Sequence, residues 1–197
     1  MTDAELIGRF RDGQVSAFNT LIWRWQDRLY GFVLRYTGNR EDARDLCQQV
    51  FVRAYRQLRH LRQPERFSAW LYQSALNACR DLQRQRRRHP VVSLDGGDDT
   101  AADSLPLAAT GPERAADRRV EARDLREVLA RALQGLSEEQ RTVVIMKEYQ
   151  ELTFAEIAAV LEIPVNTAKS RLYHGLKALR RQFEALGIGE EGLGHEL

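Results

Sequence analysis

Cysteine is scarce in this chain. Of 197 residues only Cys47 and Cys79 carry a thiol, and no C-x-x-C pair occurs. Neither a zinc site nor a redox pair is therefore written locally. Both thiols fall inside predicted helices and read as small buried apolar residues in a reducing compartment. The N-terminus, MTDAELIGRF, lacks the apolar run of a signal peptide, and no hydrophobic stretch approaches membrane-spanning length. The expectation is a cytoplasmic chain with no membrane insertion. Aromatic residues make up only 8% and β-type runs are missing, which favours an all-α fold. Ser, His and Asp are scattered without a spacing that assembles a triad, and no Gly-rich phosphate loop occurs. No enzyme is implied, and no catalytic residue, metal or cofactor is expected.

What the chain has is charge, unevenly spread. The net value of +2 hides a partition. Residues 1–89 hold 17 Arg against 9 Asp/Glu, a net +8, whereas residues 90–120 and 121–197 each come to −3. Such asymmetry suggests contact with nucleic acid at more than one place.

The N-terminal domain, 1–89, reads as four helices. Thr2 and Glu5 have capping-box spacing for a short first helix ending near Gly13. A second helix from about Ser16 to Tyr36 places Phe18, Leu21, Ile22, Trp25, Leu29, Phe32 and Val33 inward; Gly38 ends it. Asn39 caps a third, Arg40 to about Leu58, which buries Ala43, Leu46, Val50, Phe51, Ala54 and Leu58. After a loop holding Pro64, a fourth runs from about Phe67 to the Arg-rich end at Arg88. Residues 90–111 lose helical period and read as a flexible acidic linker, or a mere tether. A second domain, 112–187, starts a helix at Pro112, which Gly135 closes, and another capped by Ser137 and Gln140 that runs to about Tyr149. Residues 188–197 form a Gly-rich, frayed tail.

Leu152 to Arg181 carries the densest signal. Thr153 and Glu156 make a capping box, Pro164 is expected to stop the helix, and a second helix restarts near Val165. Ala168, Leu172, Leu176 and Leu179 form its predicted buried side. Asn166, Thr167, Lys169, Ser170, Arg171, Tyr173, His174 and Lys177 form the other. Val165 to Gln182 holds five Lys/Arg and no acid, as a helix approaching a polyanion requires. An ordinary helical hairpin with a solvated basic face is the plainer alternative.

Three segments in this order carry a resemblance: EDARDLCQQVFVRAYRQL, FSAWLYQSALNACRD, and LSEEQRTVVIMKEYQELTFAEIAAVLEIPVNTAKSRLYHGLKALR. From Glu5 to Phe183 the chain resembles bacterial sigma factors of the extracytoplasmic-function type, which keep only the promoter-binding domains two and four. The resemblance implies that Asp45, Gln48 and Gln49 dock on core RNA polymerase, although family members commonly have Glu where Gln49 stands. It implies that Asn77 meets a flipped base of the minus-ten element, in a pocket walled by the loop of Arg62, Gln63, Glu65 and Arg66. Arg80 and Arg84 share the face of Asn77 and are placed on phosphates. Trp70 could stack on a base or belong to the core, and the Arg86 to Arg88 run could equally be a solvated helix end. In the minus-thirty-five reader, Lys169, Ser170, Tyr173 and His174 would face the major groove, with Lys177 on the same side. Asn166, Thr167 and Arg171 would lie near phosphates. Family members often have Arg where His174 stands, and His cannot make the bidentate guanine contact of Arg.

The implied function is transcription initiation: two domains joined by the linker address one promoter while docked on polymerase. Promoter DNA, core polymerase and an anti-sigma factor are the implied partners. A stand-alone helix-turn-helix regulator, binding duplex DNA without polymerase, is the competing reading.

Overall fold

The computed structural model describes residues 1–88 and 127–185, and every regular element among them is helical. The linker expected at 90–111, the helix start at Pro112 and the tail at 188–197 lie outside the described residues.

The first half comprises α1 (Asp3–Arg11), α2 (Val15–Thr37), α3 (Arg40–Gln57) and α4 (Phe67–Arg88). Their boundaries have local causes. Thr2 Oγ1 accepts the Glu5 N–H at 3.2 Å while the Glu5 carboxylate accepts the Thr2 N–H at 2.8 Å, so the expected capping box opens α1. Gly38, at φ 71, closes α2 with its N–H donating to the Leu34 carbonyl. Asn39 Oδ1 then accepts the Asp42 N–H at 3.0 Å and opens α3. Two 3-10 turns, Leu58–His60 and Pro64–Arg66, lead into α4. Pro64 takes the first position of its turn, where a missing N–H loses no bond.

Helix α2 is central. Its Trp25 and Phe32 meet Phe67 and Tyr72 of α4 edge to face, with ring centroids 5.4 to 6.1 Å apart. Ile22 and Phe51, expected inside, are half-buried. Cys47 and Cys79 are buried as expected, and burial pushes both thiols up to about 12.

The second half holds α5 (described over 127–134), α6 (Glu138–Val144), a π turn (Ile145–Tyr149), α7 (Phe154–Leu161) and α8 (Val165–Ala185). Of the box expected at Ser137, one arm is made: its hydroxyl accepts the Gln140 N–H at 3.3 Å. The helix expected to continue evenly to Tyr149 widens after Val144, where the Gln150 N–H reaches back to the Ile145 carbonyl at 3.2 Å.

Pro164 does not end α7. Glu162 does, in the left-handed region at φ 54, with its N–H donating to the Ala158 carbonyl. Pro164 instead opens α8, its carbonyl accepting the N–H groups of Thr167 and Ala168 at 2.9 and 3.2 Å. The buried line of α8 is Ala168, Gly175, Leu179 and Phe183, while Leu172 is half-buried and Leu176 is 37% exposed. Gly175 explains the correction. A Cβ there would lie 2.8 Å from Val144 Cγ2, so α6 and α8 approach along a line that passes through a residue with no hydropathy to read.

The halves are not separate bodies. Helix α4 packs on α7, α2 packs on the π turn, and the buried apolar side chains form one continuous cluster.

Candidate nucleic-acid and polymerase interface

On α3, Asp45, Gln48 and Gln49 are all exposed, at spacings that put them on one face. Gln48 and Gln49 line a shallow surface cleft with Val52, Arg53, Arg56 and Gln57. Val52, 44% exposed, is the apolar element of this cleft. Sequence reasoning missed it because one valine between arginines gives no stripe; its place one turn beyond Gln48 was the available signal.

The loop before α4 exposes Arg62, Gln63, Glu65 and Arg66, with the Arg66 guanidinium donating to Gln63 Oε1 at 3.2 Å. Arg11 of α1 donates to the Leu61 carbonyl and ties the loop to the first helix. Trp70 is half-buried and stacks on the buried Phe67, with centroids 6.0 Å apart, so one face of its ring belongs to the core. Asn77 is exposed. Arg84 is exposed as well and donates to Asp81 at 2.7 Å. Arg86 donates to Asp42 of α3 at 2.7 Å, which binds the Arg-rich end to the domain rather than leaving it wholly to solvent.

Arg80 departs from its expected setting. Its Nε donates to Glu138 of α6 at 2.6 Å, across the line where the two halves meet. Neighbouring contacts cross the same seam. The Tyr72 hydroxyl donates to Gln150 Oε1 at 2.8 Å, and Gln73 Nε2 donates to Glu162 at 3.0 Å. Gln134 and Arg141 donate to the Tyr36 carbonyl, each at 3.1 Å, and Gln134 also reaches the Arg35 carbonyl at 3.2 Å. The Arg35 guanidinium lies 4.2 Å from the Tyr149 ring centre. None of these pairings was visible in the sequence, since each joins positions too distant to share a helix face.

In the helix-turn-helix, Thr153 and Glu156 make both arms of the capping box and fix the start of α7. Helix α8 then presents Asn166, Lys169, Ser170, Tyr173, His174 and Lys177 to solvent, while Thr167 and Arg171 are half-buried. Tyr173 is 64% exposed and meets His174 edge-on at 5.5 Å. Lys169 Nζ lies 5.8 Å from the centre of the Phe154 ring, so α7 steadies a cation of the reading face.

A four-helix module packed against a helix-turn-helix with a basic exposed face places the chain, as a class, among all-helical helix-turn-helix proteins. Comparison with known proteins gives the particular group. Residues 21–89 match the family Sigma-70 region 2, and residues 126–179 match Sigma-70, region 4. The chain is 30% identical over 189 residues to the ECF RNA polymerase sigma-E factor of Escherichia coli K12, covering 94% of this chain and 96% of that one. It is 28% identical over 187 residues to the RNA polymerase sigma-H factor of Pseudomonas aeruginosa, covering 93% and 95%. Among solved structures it is similar to CnrH in complex with the cytosolic domain of CnrY (TM-score 0.67, 26% identity, 93% of this chain and 97% of that one). The fold also resembles the sigma factor RpoE of Bartonella quintana, solved with the anti-sigma factor NepR (TM-score 0.63, 21% identity, 85% and 96%). The chain belongs to the extracytoplasmic-function group of the sigma-70 family, whose members are non-enzymatic initiation factors that direct RNA polymerase to promoters. Among the described residues no helix is long and apolar enough to cross a membrane.

Proposed function

We propose that residues 1–89 dock on core polymerase through the α3 face of Asp45, Gln48 and Gln49 and capture the opened minus-ten strand. Asn77 holds the flipped base and the loop from Arg62 to Arg66 walls its pocket; Trp70, Arg80 and Arg84 complete this surface. Residues 112–187 read the minus-thirty-five element as duplex. Lys169, Ser170, Tyr173, His174 and Lys177 face the groove, with Asn166, Thr167 and Arg171 beside phosphates. The observation that carries this reading is the exposed stripe of α8, cationic and acid-free over Val165 to Gln182. A polyanion draws such a face in, and its hydroxyl and ring groups then meet base edges.

The chain acts in the cytoplasm, by binding and without catalysis of its own. A protein inhibitor of the anti-sigma class is a further proposed partner; similarity to CnrH, solved with the cytosolic domain of a second protein, supports it. Run-off transcription with purified core polymerase and no other initiation factor tests the function. A promoter-dependent transcript is expected. A stand-alone regulator would bind its duplex site alone and yield none.

A further inference from the structure

The loop that walls the proposed base pocket makes few bonds of its own. Between the 3-10 turns Leu58–His60 and Pro64–Arg66 it runs through Leu61, Arg62 and Gln63 in no regular element. Inside it, the Arg66 N–H donates to the Gln63 carbonyl at 3.0 Å and the Arg66 guanidinium to Gln63 Oε1. Its position comes from α1, on which both turns pack. At the C-terminal end of α1 the Arg11 guanidinium donates to the Leu61 carbonyl, and the Arg59 guanidinium lies 5.5 Å from the centre of the buried Phe10 ring. At the N-terminal end, Thr2, Asp3 and Ala4 share a cleft with Glu65 and Arg24. Asp3 accepts the Trp25 Nε1–H at 2.9 Å and pairs with Arg24. Trp25 in turn meets Phe67, the residue that follows the loop, edge to face at 6.1 Å. Helix α1 rises roughly 12 Å from Asp3 to Arg11, and the chain from Leu61 to Glu65 spans at most roughly 14 Å. The loop is thus strung along α1, in the opposite sense, with little slack.

We propose that α1 is the splint of the base-reading loop and that Arg11 is a positioning residue for minus-ten specificity, fixing the entry of the loop so that Arg62 to Arg66 close on one base and reject others. The inference rests on the reading of that loop given above. A polar pocket discriminates only while its groups are held where the correct base satisfies them and a wrong one leaves them unpaired. A loop free to relax by about an ångström re-pairs with any base and loses the distinction. Leu61 is half-buried and the two residues after it are exposed, so its carbonyl is the point where the chain leaves the domain for the pocket. The bond made there is charge-assisted and stronger than one between neutral groups. Arg11 is itself exposed, so replacing it removes this bond without opening the core. Asp3 holds the exit of the loop less directly, through Trp25 and Phe67.

Base selection by the holoenzyme tests the splint. The full chain, assembled with core polymerase, is incubated with single-stranded oligonucleotides randomised over the minus-ten positions, and the bound molecules are sequenced. Gln63→Ala and Glu65→Ala mark the position read by the loop, as the one whose base preference they alter. Arg11→Ala is expected to flatten the preference at that position by at least about threefold, against the roughly tenfold that one read base commonly supplies. Preferences elsewhere, core binding and the salt slope should stay as they are. Arg11→Lys, which can still donate to a carbonyl, should restore most of the preference; Arg11→Met should not. Equal weakening of every oligonucleotide, with a salt slope lower by about 0.7 unit, overturns the proposal, because Arg11 is then a direct phosphate contact. An unchanged preference overturns it too, whether or not the melting temperature falls. If neither Gln63→Ala nor Glu65→Ala alters any position, the reading of the loop itself fails and the role of Arg11 falls with it.

Discussion

Asn77 and Lys169 sit at the two ends of the proposed mechanism and give its most direct tests. Asn77→Ala is expected to impair promoter opening, read by permanganate footprinting, while a pull-down finds core polymerase binding unchanged. Lys169→Ala should weaken binding to the minus-thirty-five duplex and lower the salt slope of log K by about one unit, as loss of one cation that displaces counterions from the duplex requires. Both side chains are exposed, as the outer faces of α4 and α8 require, although Asn77 is singled out among its neighbours by the family resemblance and not by helical spacing. The setting of Arg80 was not legible. Its partner Glu138 lies 58 positions away, and no local pattern encodes that meeting. The sequence leaves Trp70 between two roles, and the structure stacks one face of its ring on Phe67.

At the scale of single elements, caps were read well and helix ends less so. Thr2, Asn39 and Thr153 each announce a helix with a side-chain acceptor, a signal contained within four residues. The end of α7 carries no such signal, because Glu162 is an unusual residue for a left-handed cap and Pro164 draws attention to itself. The same holds at Glu151, which sits at φ 55 just before α7. Glu151→Gly should therefore stabilise the folded chain, by about 1 kcal/mol, as the cost of a left-handed non-glycine residue is relieved. Chemical denaturation would record it as a higher midpoint. Gly175→Ala should do the opposite. The added methyl would meet Val144 Cγ2 at 2.8 Å, and α8 must shift to admit it. A loss of about 1–3 kcal/mol is expected for such overpacking, read as a lower melting temperature.

The whole molecule was the scale least visible in advance. Two modules on a connector are apparent from composition, but whether they touch is decided by pairings between distant residues such as Tyr72 and Gln150. The joint core also has a pH signature. Burial raises the thiols of Cys47 and Cys79 from 9.0 to about 12 and the Tyr72 phenol from 10.0 to about 12. Between those values the folded chain keeps protons that the unfolded chain releases, so stability falls as pH rises above about 9. Urea unfolding at pH 7 and pH 10 should give the lower midpoint at pH 10.

The last carbonyls of α2, at Arg35 and Tyr36, take their donors from Gln134 and Arg141 of the other half. Whenever the halves part, that helix end is left to water and frays sooner. Deuterium uptake by the amides of Tyr36, Thr37 and Gly38 is thus a built-in gauge of how often the molecule comes apart, readable on the unaltered chain.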